Sequence, residues 1–102
     1  MTPSISIREQ AASLMQAAWE AEDAMVKAED AGVPDDVLQR FEQACVDAWR
    51  LHDELCDEHG IEILTEASGA ILRCAKTKTP LVYGDEYEET ETGELVIVKQ
   101  AA

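Results

Sequence analysis

Bases are scarce in this chain: 8 lysines and arginines stand against 22 aspartates and glutamates, a formal charge of -14 over 102 residues. So few cations argue against direct nucleic-acid binding, which rests on neutralising phosphates with a basic surface. No apolar run approaches the roughly 18 residues of a membrane span, and the N-terminus lacks the basic and apolar regions of a signal peptide. The expectation is a cytoplasmic protein that does not bind membranes. An even cysteine framework is also missing. Cys45, Cys56 and Cys74 make an odd count, which favours reduced thiols that behave as small buried apolar residues. Missing too are a nucleotide-binding glycine loop, a nucleophile elbow and a zinc-protease helix motif, so catalysis has little support in the sequence, and neither an enzyme nor a cofactor is expected.

Against these absences, 46% of residues are hydrophobic, too many for a disordered acidic tail. The length fits one domain spanning 1–102. Ser6-Ile7-Arg8-Glu9 is a capping-box pattern, and apolar or small residues then recur at Ile7, Ala11, Leu14, Ala18, Ala21, Met25 and Ala28 until Gly32 offers a stop. A second helix opens at Val33-Pro34-Asp35-Asp36, with proline suited to the first turn and two acids at the positive end of the dipole. Val37, Phe41, Ala44, Ala48, Leu51 and Leu55 repeat the same spacing up to Gly60. The short link predicts an antiparallel helical hairpin over about 6–60.

Each predicted helix carries a surplus apolar stripe, Met15, Trp19 and Val26 on the first and Leu38, Cys45, Trp49 and Cys56 on the second. The β-prone runs Ile61 to Leu64, Ala70 to Cys74, Leu81 to Tyr83 and Glu94 to Lys99 are the expected cover. Ser68-Gly69, Thr79-Pro80, Gly84-Asp85 and Thr92-Gly93 are the expected turns. The fold class is thus α+β, a helical hairpin packed on a small C-terminal antiparallel sheet within about 61–100. The tryptophans read as core residues, with interface anchors as the alternative. A heptad seam with a surplus stripe also suits a homodimer, so monomer and dimer both stand.

His52, Cys56 and His59 share a helical face, with Cys74 as a conceivable fourth zinc ligand. The set lacks the second short paired-ligand motif of a structural zinc site, so these residues read as ordinary thiols and histidines, and no metal site is assigned.

The acids are more informative. Asp53, Glu54, Asp57 and Glu58 crowd the end of the second helix, where the dipole prefers cations. Glu29, Asp30, Asp35 and Asp36 surround the hairpin turn. Asp85, Glu86, Glu88, Glu89, Glu91 and Glu94 form a third cluster without an intervening base. Carboxylates one helical turn apart lie about 5–6 Å from each other, a spacing that can imitate a phosphate backbone. The net charge of -14 exceeds the roughly 2–8 that solubility asks of a small domain. The expected partner is therefore a basic protein surface, reached by electrostatic steering.

In size, acidity, absence of catalytic motifs and expected hairpin-plus-sheet build, the chain resembles phage-encoded anti-CRISPR proteins. The resemblance is one of physical character, and the acidic positions above rest on charge alone. It implies a stoichiometric inhibitor in the host cytoplasm that docks on a CRISPR surveillance complex and blocks DNA binding. A different class, an antitoxin or regulatory adaptor neutralising a basic toxin or nuclease, fits the same charge. A small zinc-binding interaction domain is the third reading.

Overall fold

A computed structural model describes residues 5–100, apart from the side chains of Ile5 and Ser6. Two helices, α1 (Ile5–Asp30) and α2 (Asp35–His59), precede two strands, β1 (Glu86–Glu89) and β2 (Leu95–Lys99). The α+β class and the helical hairpin of the sequence reading hold. Helix α1 already includes Ser6, and the Ser6 side chain, half of the proposed capping box, lies outside the described residues.

Both helices end where glycine permits a left-handed residue. At the end of α1, Gly32 takes φ +72°, the Gly32 N–H donates to the Glu29 carbonyl at 3.1 Å and the Val33 N–H to the Ala28 carbonyl at 3.3 Å. At the end of α2, Gly60 takes φ +62°, and the Ile61 N–H reaches the Cys56 carbonyl at 3.0 Å. Each is a Schellman cap that satisfies carbonyls the helix leaves open. Pro34 stands just before α2. Its carbonyl accepts from Val37 at 3.0 Å and Leu38 at 2.9 Å, while Asp35 and Asp36 occupy the first turn.

The chain divides into two compact units, one of residues 1–12 with 56–102, the other of residues 13–55. In the first unit the apolar core is Ala11, Ala12, Cys56, Ile61, Ile63, Cys74, Leu81 and Val82. Regular strand is sparse there. The runs expected as strands pair instead through isolated antiparallel bridges, Ile63 with Val82, Thr65 with Ile71 and Arg73 with Pro80. Backbone bonds from Leu64 to Leu81, Leu72 to Leu64 and Leu81 to Leu72, at 2.9–3.0 Å, stitch these three segments together. The named sheet is the β1–β2 pair, antiparallel, with Tyr87 opposite Ile97 and Glu89 opposite Leu95 and an irregularity between Glu86 and Tyr87. Its first strand falls on a segment that the sequence reading took as an acidic cluster, not as a strand.

Three expected turns are present, with Gly69, Gly84 and Gly93 all at positive φ. Thr79-Pro80 is not a turn: both residues are buried, and Pro80 sits in a bridge. The chain reverses just before them, over Ala75 to Lys78, where Lys78 holds φ +62° and its N–H bonds the Cys74 carbonyl at 2.8 Å.

The second unit is the hairpin body. Its buried residues are Met15, Ala18 and Ala28 of α1 and His52 of α2. Val37, Leu38, Phe41, Cys45, Ala48 and Trp49 are only half-buried, and Trp19 is 44% exposed. The tryptophans therefore do not form a closed core. They meet edge to face, with ring centroids 5.4 Å apart and planes at 82°. A hairpin of two helices has too little apolar surface facing inward to bury residues of this size.

Candidate acidic interaction surfaces

The Schellman turn fixes where the first acidic group sits. Glu29 and Asp30 fall on the last turn of α1, Asp35 and Asp36 on the first turn of α2, and all are exposed. The α2 dipole favours Asp35 and Asp36, while Glu29 and Asp30 lie at the unfavourable end of α1. In the second group Asp53, Glu54, Asp57 and Glu58 are also all exposed, on the last two turns of α2. Arg50 approaches Glu54 at 4.0 Å and Asp47 at 3.2 Å, and the His52 ring nitrogen Nδ1 lies 3.0 Å from Asp53. The Arg50 contacts are exposed and neutralise little of the charge.

The third group separates into unlike parts. Glu86, Glu88 and Glu89 are exposed on β1, with Glu88 on the opposite face of the strand from Tyr87 and Glu89. Glu91 and Glu94 belong to the β1–β2 turn, where the Thr90 N–H bonds the Glu94 carbonyl at 2.7 Å and the Thr90 hydroxyl accepts from the Glu94 N–H at 3.1 Å.

Asp85 is a correction. Its side chain is fully buried and takes two hydrogen bonds from the Arg8 guanidinium, at 2.7 and 2.8 Å, and a third from the Val82 N–H at 2.9 Å. Arg8 also donates to the Pro80 carbonyl at 3.0 Å, while its Nε, equally buried, has no hydrogen-bond partner among the described residues. Asp85 thus anchors the N-terminal turn of α1 to the 80–85 segment and is unavailable to a partner. The sequence reading placed Ile7 on the buried stripe and passed over Arg8. The signal was there: Arg8 stands three, four and seven residues before Ala11, Ala12 and Met15, all of which are buried. Nearby, exposed Arg73 bonds Glu9 at 3.0 Å and the Lys78 carbonyl at 2.8 Å.

Among the described residues no three His, Cys, Asp or Glu side chains come together in a way that could hold a metal ion. His52 is buried with its ring edge-on to Trp49, centroids 5.5 Å apart, while His59 is exposed. Cys56 and Cys74 are buried, Cys45 is half-buried, and none of the three is in a disulfide. Burial pushes the Cys74 thiol up. Hydrogen bonds from the Thr77 side chain and from the backbone of Ile97, Thr77 and Lys76 outweigh it and bring the thiol down from 9.0 to about 7. The Ile97 N–H lies 3.5 Å from Sγ, so this thiol ties β2 to the 74–77 turn, as does the Ala75 N–H to the Leu95 carbonyl at 2.7 Å.

Two open depressions lie in the first unit. One, of about 310 Å³, is lined by Cys56, Asp57, Gly60, Ile61, Glu62 and Tyr83. The other, of about 360 Å³, lies among Glu66, Arg73, Lys78, Glu94 and their apolar neighbours. Neither gathers the converging polar groups of an enclosed small-molecule site.

Comparison with known proteins finds no matching family model, no matching curated protein and no matching solved structure. No helix among the described residues is long and apolar enough to cross a membrane.

Proposed function

We propose that this protein is a non-enzymatic acidic inhibitor that occupies a basic, nucleic-acid-binding surface of a target protein. The observation that carries the reading is the exposure of Asp53, Glu54, Asp57 and Glu58 together at the C-terminal end of α2. That end of a helix disfavours carboxylates, and each like-charge pair one turn apart costs about 0.2–0.5 kcal/mol. An arrangement that opposes local stability is consistent with selection for the charge itself. The exposed acids of the hairpin turn and of β1 extend the same character, and with -14 over 102 residues the long-range field would attract a basic groove. The β1 glutamates have a second use, since charges along an edge strand discourage pairing with another sheet.

By its resemblance in physical character to anti-CRISPR proteins, the proposed target is a CRISPR surveillance complex in the host cytoplasm, with target DNA displaced from its basic channel. The test is competition. A purified surveillance complex is bound to labelled target DNA, and this protein is titrated in at low and at high salt. Displacement at low salt that weakens at high salt, and that is reduced by D53N/E54Q/D57N/E58Q, is the expected result. DNA binding that stays intact at every concentration would remove the surveillance complex as the target.

A further inference from the structure

One side of the hairpin body is left open by the fold. Trp19 and Val26 stand seven residues apart on α1, two turns along one side, and are 44% and 46% exposed. On α2, Val46 is 58% exposed and lies three residues before the half-buried Trp49. The Trp19–Trp49 contact at 5.4 Å places the two stripes on the same side of the hairpin. The result is a strip about 10 Å long in which large apolar side chains face water.

Every member of the strip has an acid one helical turn away. Asp23 follows Trp19 by four residues, Asp30 follows Val26 by four, Glu42 precedes Val46 by four, and Asp53 follows Trp49 by four. All four acids are exposed. Lys27 pairs with Asp23 at 3.1 Å and Arg50 with Asp47 at 3.2 Å, but the carboxylates interspersed with the apolar anchors on both helices outnumber these bases, which matches a partner with apolar residues on one stripe and cations beside them. A second copy of the chain matches poorly. Within residues 13–55 eleven acids face three bases, so apposing two such strips would bring acidic edges together.

We propose that this side of the hairpin docks a basic amphipathic helix of a partner protein, laid across Trp19, Val26, Val46 and Trp49 with its lysines or arginines against Asp23, Asp30, Glu42 and Asp53. The mode is helix-in-groove recognition, with anchors at i, i+3 or i+4 and i+7. Trp19 is the central anchor, because a half-exposed indole gains the most from a cover. This inference shares Asp30 and Asp53 with the acidic surfaces above but rests on the apolar strip, so it holds whether or not those surfaces act as a decoy.

The experiment titrates the full chain with a synthetic amphipathic helix of leucine and lysine, following the tryptophan emission, at low and high salt. A lysine-rich peptide of the same charge without leucine serves as control. The expected result is saturable binding of the leucine-lysine helix with a blue shift, surviving in part at high salt, and no shift with the control. The exposed-site variant V26Q/V46Q keeps its fold by circular dichroism and binds about tenfold more weakly, as does W19A. E62Q/E66Q, which removes exposed charge outside both acidic surfaces and the strip, binds as the unaltered protein does. Equal weakening by the glutamate variant and by V26Q/V46Q would overturn the proposal in favour of undirected charge attraction. A dimer in sedimentation that V26Q/V46Q dissociates would overturn it in favour of a second copy of this chain.

Discussion

The two compact units bury their residues in opposite proportion to their regularity. The unit of residues 1–12 and 56–102 has little formal strand, yet it holds Leu81, Val82, Pro80 and Cys74 at nearly zero exposure and closes around a buried Arg8–Asp85 pair. The unit of residues 13–55 is almost wholly helical, yet no residue of α2 before His52 is buried. Hydrogen-bonded regularity and burial are separate achievements. A helix satisfies its own backbone whatever lies beside it, whereas irregular segments persist only where side chains and cross-chain bonds hold them.

That contrast is broken most severely at the clasp. Replacing Arg8 by alanine leaves Asp85 buried without its cation and is expected to cost about 3–5 kcal/mol, read from the urea midpoint. Set against the roughly 5–15 kcal/mol by which a domain of this size is stable, this is a large fraction of the whole. An R8M/D85L double variant recovers part of the loss, because replacing both members of a buried pair is less costly than orphaning one charge, while the Val82 N–H and the Pro80 carbonyl still lose their side-chain partners.

In the hairpin the largest comparable change costs less. Trp49→Ala removes a half-buried ring and its edge contact with Trp19, an expected loss of about 1–2 kcal/mol by thermal denaturation. A loss as large as that of R8A would mean that the hairpin is as tightly built as the other unit. The caps sharpen the comparison from another side. Gly32→Ala and Gly60→Ala meet no atom within 4 Å of the added Cβ, so both pay only the left-handed backbone strain at φ +72° and +62°. Each is expected to lower stability by about 1 kcal/mol, alike in the two units despite their different burial.

Cys74 gives the first unit a pH signature. Its folded thiol is brought down to about 7 from the ordinary 9.0, so between these values the unfolded chain binds more protons than the folded one. The stabilisation is complete above about 9 and is lost as the pH falls through about 7. Urea midpoints measured across this range should rise with pH in the unaltered protein, and Cys74→Ala should remove that part of the slope. The smallest effect, and the one of opposite sign, belongs to the surface acids. D57N relieves a like-charge pair with Asp53 and should raise the melting temperature slightly, by an amount corresponding to about 0.2–0.5 kcal/mol. A fall instead would show that Asp57 has a structural partner.

Much of the fold was legible because its signals are local. The apolar spacing of Ala11, Ala18 and Ala28, the glycines at 32 and 60 and the acids after Pro34 act within a few residues, and the helices with their Schellman caps follow from them. The exposed acids of the hairpin turn, of the end of α2 and of Glu86, Glu88 and Glu89 were legible for the same reason, as charge keeps to water. What was illegible depends on residues far apart in the chain. Nothing near Asp85 in the sequence announces a cation, and its partner Arg8 lies 77 positions away. Thr79-Pro80 has the composition of a turn but is buried by a bridge to Arg73. Trp19 and Trp49 have the composition of a core but lack a third layer within their unit.

The sequence by itself determined the helical hairpin, its two caps, the positions of its chain reversals at glycine and the excess of negative charge, since each is set by spacing, backbone freedom or composition. Only the tertiary structure decided which acid is buried and which are exposed, and which apolar residues form the core. Burial is a property of what packs against a side chain, and for Arg8 and Asp85 that neighbour comes from the far end of the chain.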